Sequence, residues 1–281
     1  MEIRYLDREE HERSRALYEE VFVEDEEAFV DAYYRIKAAD NEILVAEDEG
    51  QIISMLHRNP YTFCFRGESV PADYLVAVAT KVTFRHRGLM RALLTKALRD
   101  MEEQERPFTF LMPADEAIYT PFDFRLMGND DEEGLADADG EPLAEDYELF
   151  TEKNADYERR HIFWPEWEST PMMIRLLYLP AFVKNIGAEE NQSLLVEIED
   201  PILSENNGVF LWEFSGERSA LVPVKARPEI RISIADLGSF LWGMLGPEEL
   251  PGLKDAEDPE TVRGKLEKIR VIDGIYINET V

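Results

Sequence analysis

The chain is poor in cysteine: Cys64 stands alone among 281 residues, so no disulfide can close within it. Set between aromatics in "TFCFR", it reads as a small buried hydrophobe and not as a nucleophile. Histidine is nearly as scarce, and His11, His57, His86 and His161 have no ligand spacing, so no metal is expected. The acidic stretch 129–148 contains "DADG", but a calcium loop with Gly140 in sixth place would begin at Leu135, which cannot ligate. No apolar run approaches the ~20 residues of a membrane span, and "MEIRYLDREEHERSRALYEE" has no signal-peptide core. A cytoplasmic protein without a membrane partner is expected. Positive charge is short as well, with 30 Lys and Arg against 60 Asp and Glu. A net charge of −30 argues against a nucleic-acid partner, whose binding rests on cations at phosphates, and favours cationic ligands through steering.

Apolar material is plentiful, 44% of residues with 11% aromatic, and the length suits two domains of the usual ~100–150 residues. "EIRYL" reads as an opening strand and residues 8–21 and 25–37 as two helices. Strands follow at 42–47, 51–59, 61–66 and 72–82, separated by Gly, Asn or Pro, as in an antiparallel meander. From Gly88 the period changes: Leu89, Met90, Leu93, Leu94, Ala97, Leu98 and Met101 recur at helical spacing. A strand at 108–115 and a short helix or turn leading into another strand at 117–128 complete a first α/β unit over 1–150. Residues 151–170 read as a linker. A smaller α+β unit over 171–281 contains strand then helix in "MMIRLLYLPAFVKNI", two strands around "SENNG", and a strand feeding a helix in "RISIADLGSFLWGML".

Within this acidic chain, Tyr74 to Arg99 contains no Asp or Glu, yet carries Lys81, Arg85, Arg87, Arg91, Lys96 and Arg99. A glycine-containing loop that leaves a strand and opens a helix aims backbone N–H groups and the positive helix end at one point. Arg85, Arg87 and Arg91 add donors around it, so an anion is expected there. The segment has neither the P-loop pattern nor the three glycines of a dinucleotide fingerprint, which leaves R-x-x-G at the strand–helix junction.

That motif, Arg85-His86-Arg87-Gly88-Leu89-Met90, resembles the coenzyme A pyrophosphate loop of the GNAT N-acetyltransferases, with Met90 where a small residue is usual. The order of elements over 1–150 is similar to theirs. The resemblance extends to the Eis-like (enhanced intracellular survival) branch: Val78, Ala79, Arg85, Gly88 and Arg91 match its "VA-x-x-P-x-x-R-x-x-G" with a following basic residue, Val82 replacing the usual Pro. Ile118-Tyr119-Thr120-Pro121-Phe122-Asp123-Phe124 matches its "IY-x-x-F" element. "YLPAFV", "DLGSFLWG" and "YINE" match its terminal domain, which resembles sterol carrier protein. Eis-like chains usually place a second GNAT-like domain between these units, so this chain resembles a short form without it.

The resemblance implies a GNAT fold with a mixed, mostly antiparallel sheet, followed by a sterol-carrier-like α+β domain. It implies acetyl-CoA as acetyl donor, with the pyrophosphate on Arg85 to Arg91 (His86, Arg87, Gly88, Leu89 and Met90 included) and the thioester against backbone at Val78 and Thr80. Acetyl transfer to an amine needs a base for the ammonium and an acid for the thiolate. The resemblance assigns the acid to Tyr119 and the base to the carboxylate of Val281, reaching the cleft from the second unit. Phe29, Tyr33, Met55 and His57 are the candidate substrate-binding residues, for an aminoglycoside, polyamine or lysine-like amine. A homo-oligomer is compatible with the sequence and not selected by it. The alternative is a non-catalytic module that senses coenzyme A or binds a lipid or acyl group.

Overall fold

The computed structural model of the protein describes residues 1–127, 147–161, 171–277 and 279. Most of the "DADG" stretch, and Val281, lie outside the described residues.

The chain opens with β1 (Glu2–Tyr5), a 3-10 turn over Arg8–Ser14, α1 (Arg15–Val21) and α2 (Glu27–Ile36). The helix expected at 8–21 is thus half 3-10 turn. In α2 the apolar stripe Phe29, Val30, Tyr33 and Tyr34 turns inward and is buried. β2 (Glu42–Asp48), β3 (Gln51–Phe65) and β4 (Glu68–Thr80) form a meander. Its two turns, Glu49-Gly50 and Arg66-Gly67, have positive φ at both residues, the hairpin geometry that matches strand twist and favours Gly second.

Two strands were expected on either side of Pro60, but β3 runs through it. The Pro60 carbonyl accepts from Arg160, not from a strand, and Pro60 lies between the stretch paired with β2 (to Arg58) and that paired with β7 (Leu149–Thr151, from Phe63). In that gap no ladder partner needs the N–H that proline lacks.

Next come α3 (Leu89–Glu103), whose Leu89, Leu93, Leu94, Ala97, Leu98 and Met101 are buried, and β5 (Phe108–Leu111). They are followed by α4 (Glu116–Tyr119), β6 (Arg125–Leu126), α5 (Ala155–Arg160) and β8 (Met173–Leu176). The large sheet runs β1-β2-β3-β4-β5-β8-β6, with β7 added on β3, and is mostly antiparallel.

The second unit contains α6 (Leu179–Val183), β9 (Gln192–Glu199), β10 (Gly208–Ser215), β11 (Arg218–Pro223), β12 (Ile230–Ser233), α7 (Ile234–Leu241) and α8 (Pro259–Leu266). Its sheet is β11-β10-β9-β12. The chain then returns: β13 (Ile275–Tyr276) pairs with β7, so the large sheet draws β8 and β13 from beyond position 171. The units share a core, with Trp242 and Phe182 of the second against Phe108 of the first at ring distances of 5.7 and 6.4 Å. The fold class is the expected one: a mixed, mostly antiparallel GNAT-type sheet followed by a smaller α+β unit. Among the described residues no helix is long and apolar enough to cross a membrane.

Candidate functional site

A bulge in β4 creates the opening. Met55 pairs with Ala79 and His57 with Val76, so Ala77 and Val78 together face one residue of β3, and Ala77 takes the left-handed backbone at φ 50. A non-glycine residue there costs about 1–3 kcal/mol, which the flanking pairs must hold in place. The result is a splay. β5 runs parallel to β4 only at Asp73–Thr109 and Tyr74–Phe110, and from Val76 to Thr80 no strand among the described residues lies on that side.

At the end of the splay, the chain passes through Val82–Phe84, a left-handed His86 (φ 62) and a left-handed Gly88 (φ 78) before α3 begins. Arg85 Nε donates to the Thr80 carbonyl at 3.2 Å, and Arg87 donates to the Thr83 carbonyl at 3.1 Å while lying over Phe84. Arg91 lies over the Phe122 ring at 4.9 Å. Among the described residues no carboxylate pairs with these three arginines, although elsewhere most arginines find one. Three cations without counter-ions meet the free N–H groups of the first turn of a 15-residue helix. The arrangement suits an anion.

Tyr119 ends α4, which Asp115 caps through the Ala117 N–H at 2.9 Å. It is buried, and burial pushes its hydroxyl up to about 12. On the strand beside it, burial raises Tyr74 further, aided by the charges of Glu279 and Tyr119. Glu279 and Tyr119 are thus the charged groups that act on Tyr74.

Glu279 arrives there by register. β13 runs parallel to β7 and antiparallel to β3, so the residues after Tyr276 continue toward Tyr61, where Ile277 and Glu279 are buried. Burial pushes the Glu279 carboxyl up to about 7, against the opposing pull of Thr151, Lys37 and Lys153. Lys37, at the end of α2, is buried as well and donates to the Tyr61 hydroxyl at 2.9 Å; burial brings its ammonium down to about 8, opposed by Glu279.

Residues 2–127 match the acetyltransferase (GNAT) domain and residues 179–275 the sterol carrier protein domain. The first unit is a GNAT acetyltransferase domain. Solved structures share the whole architecture at low identity. A probable N-acyltransferase of unknown function from Enterococcus faecalis is 11% identical, with a TM-score of 0.72 covering 98% of this chain and 99% of its own. A GCN5-related N-acetyltransferase from Kribbella flavida is 12% identical, with a TM-score of 0.71 over 100% and 98%. Eis1 from Mycobacterium abscessus is 14% identical, with a TM-score of 0.68 over 100% of both chains. At these identities the likeness is one of fold. No curated protein matches the sequence.

Within the GNAT domain, Tyr33 lies 6.4 Å from Phe29 and 5.9 Å from His57, ring to ring, and these three and Met55 are all buried. Tyr33 Oη lies 2.7 Å from His57 Nδ1 and accepts from Asn41 Nδ2 at 3.3 Å. Among the described residues, His57 Nε2 is buried without a hydrogen-bond partner. Burial and His11 hold the imidazole down to about 3, so it stays neutral. Sequence reasoning missed Tyr74, Lys37, Tyr61 and Glu279. The available signals were slight: one tyrosine in the apolar run "YLVAVAT" and one acid in "GIYINETV".

Proposed function

We propose that this acetyltransferase moves an acetyl group from acetyl-CoA to an amine of a small cationic, multi-amine substrate, on the plan of the Eis-like enzymes in a short form. The observation that carries the reading is the splay at Ala77, which leads to a loop of three arginines without a carboxylate partner among the described residues, with the turn after the buried Tyr119 set against that loop through Phe122 under Arg91. The short form is supported by the spacing of the two matched domains, with residues 128–178 between them, the described part of which supplies β7, α5 and β8.

The residues suit a pyrophosphate. Arg85, Arg87 and Arg91 are the donors, and a Cβ built on Gly88 meets nothing within 4 Å, so the space over the loop is open. Bound acetyl-CoA supplies an activated thioester. The side of β4 that β5 leaves open from Val76 to Thr80, which includes Val78 and Thr80, offers backbone N–H groups to its carbonyl. Tyr119 holds the proton for the departing sulfur, and burial keeps that proton in place at neutral pH. The base belongs to the C-terminal segment. The Glu279 carboxyl, near 7, is suited to accepting a proton at neutral pH, and Val281, to which the resemblance assigns the role, is two residues further on. The net charge of −30 draws polycations toward the protein.

The carrier-like unit offers poor ground for a lipid reading. Two of its openings carry the charged residues Arg227, Glu229, Arg231 and Asp255, and Glu189, Glu190, Lys265 and Lys268. Thiol release from acetyl-CoA, measured with polyamines, aminoglycosides and lysine peptides, is expected only with a competent amine. Silence across the panel together with tight binding of fatty acids would establish the carrier reading instead.

Gly88→Val tests the loop by calorimetry with CoA. The left-handed backbone should cost about 1 kcal/mol of stability, whereas CoA binding should fall by at least ~100-fold as the side chain fills the space beside the donors. Wild-type affinity in a folded Gly88→Val protein would place the pyrophosphate elsewhere.

A further inference from the structure

We infer that Arg175 and Asp200 are a positioning pair through which the carrier-like unit holds the Tyr119 turn in register for proton donation. This rests on Tyr119 being the acid of the proposed reaction. Arg175 lies on β8 of the large sheet and Asp200 just after β9 of the second unit, and both side chains are fully buried. Arg175 Nη2 donates to Asp200 Oδ1 at 2.7 Å, Nη1 to the Leu176 carbonyl at 2.6 Å, and Nε to the Phe122 carbonyl at 2.7 Å. Phe122 is three residues past Tyr119, and its ring lies beneath Arg91 of the pyrophosphate loop. The turn is therefore gripped from both sides, by a candidate cofactor cation at its ring and by the second unit at its backbone.

Asp200 is itself immobilised. Its Oδ1 also accepts from the N–H groups of Ile202 and Leu203 at 2.9 Å, and its Oδ2 from Asn206 Nδ2 at 3.0 Å. Asn206 in turn donates to the Leu177 carbonyl beside β8. Beyond Phe122, Asp123 takes the left-handed backbone at φ 64, with its Oδ2 buried 3.8 Å from Arg175 Nη2 and without a hydrogen bond. A buried ion pair of this kind is no more stabilising than well-packed apolar residues would be. What it adds is direction: a planar guanidinium fixes three acceptors at once, which lysine cannot do.

The test uses the full chain with the best amine of the panel. Arg175→Lys is expected to leave the KM for acetyl-CoA within about two-fold of wild type and to lower kcat by ~10–100-fold. Its alkaline limb should move to lower pH as water reaches the loosened Tyr119 hydroxyl. Combined with Tyr119→Phe, it should add little to the loss caused by Tyr119→Phe alone. The near-isosteric Asp200→Asn should repeat these effects should Arg175→Lys fail to fold. A lower melting temperature with unchanged kcat and pH profile, beside a crippled Tyr119→Phe, would overturn the positioning role alone. Normal turnover in Tyr119→Phe would overturn the acid assignment and the inference with it.

Discussion

Tyr119→Phe is expected to lower turnover by ~10²–10⁴-fold while leaving CoA affinity unchanged. The substitution removes one oxygen from a buried ring and keeps the ring itself, which lies 6.1 Å from Phe124, so the α4 turn should hold its shape. Its distance from the arginines of the loop in sequence and role explains why binding should survive. The pH profile provides a second, independent reading. A general acid works only while protonated, and burial pushes this hydroxyl up to about 12. Turnover should therefore stay level from about pH 9 to about pH 10.5, where an unperturbed tyrosine, near ~10, would already be losing its proton. A decline centred near ~10 that disappears in Tyr119→Phe would contradict the buried setting. Full turnover in Tyr119→Phe at neutral pH would remove it from the mechanism.

The loop and the carboxyl-bearing tail differ sharply in how far they can be read from the sequence. Arg85, Arg87, Gly88 and Arg91 are local: strand, glycine loop and helix are consecutive, and an acid-free run in an acidic chain marks the place. The bulge at Ala77 is also local, but "VAVAT" has no glycine to announce a left-handed residue, so only the β3–β4 register exposes it. Pro60 misled in the other direction, because proline interrupts a strand only where its N–H is needed. β11, an edge strand with few buried residues, has too weak an apolar pattern to stand out. The short strands β7 and β13, of three and two residues, carry almost no periodicity. Their pairing is what brings Ile277 and Glu279 toward Tyr61, so nothing local predicts that the charge of Lys37 acts on Glu279. The Arg175–Asp200 pair was hidden for the same reason, since Arg175 lies on β8 of the large sheet and Asp200 follows β9 of the small one.

Glu279→Gln is the second substitution with a large expected effect, again ~10²–10⁴-fold in turnover with CoA binding retained. Its carboxyl must be ionised to accept a proton. With the group pushed up to about 7 by burial, wild-type turnover should rise as pH increases through about 7 and then level off. Glu279→Gln should abolish that acid limb, since an amide does not titrate in this range. Lys37→Met gives the opposite control. The ammonium favours the ionised carboxylate, so its loss raises the Glu279 pKa and moves the limb to higher pH, while turnover on the plateau persists. Lys37→Met should also loosen the end of the chain, because the Tyr61 hydroxyl loses its donor. Proteolysis of the residues after Tyr276 reads that loosening separately from activity. If Glu279→Gln keeps both its turnover and its acid limb, Glu279 serves only to anchor the segment, and the proton acceptor must be sought nearer Val281.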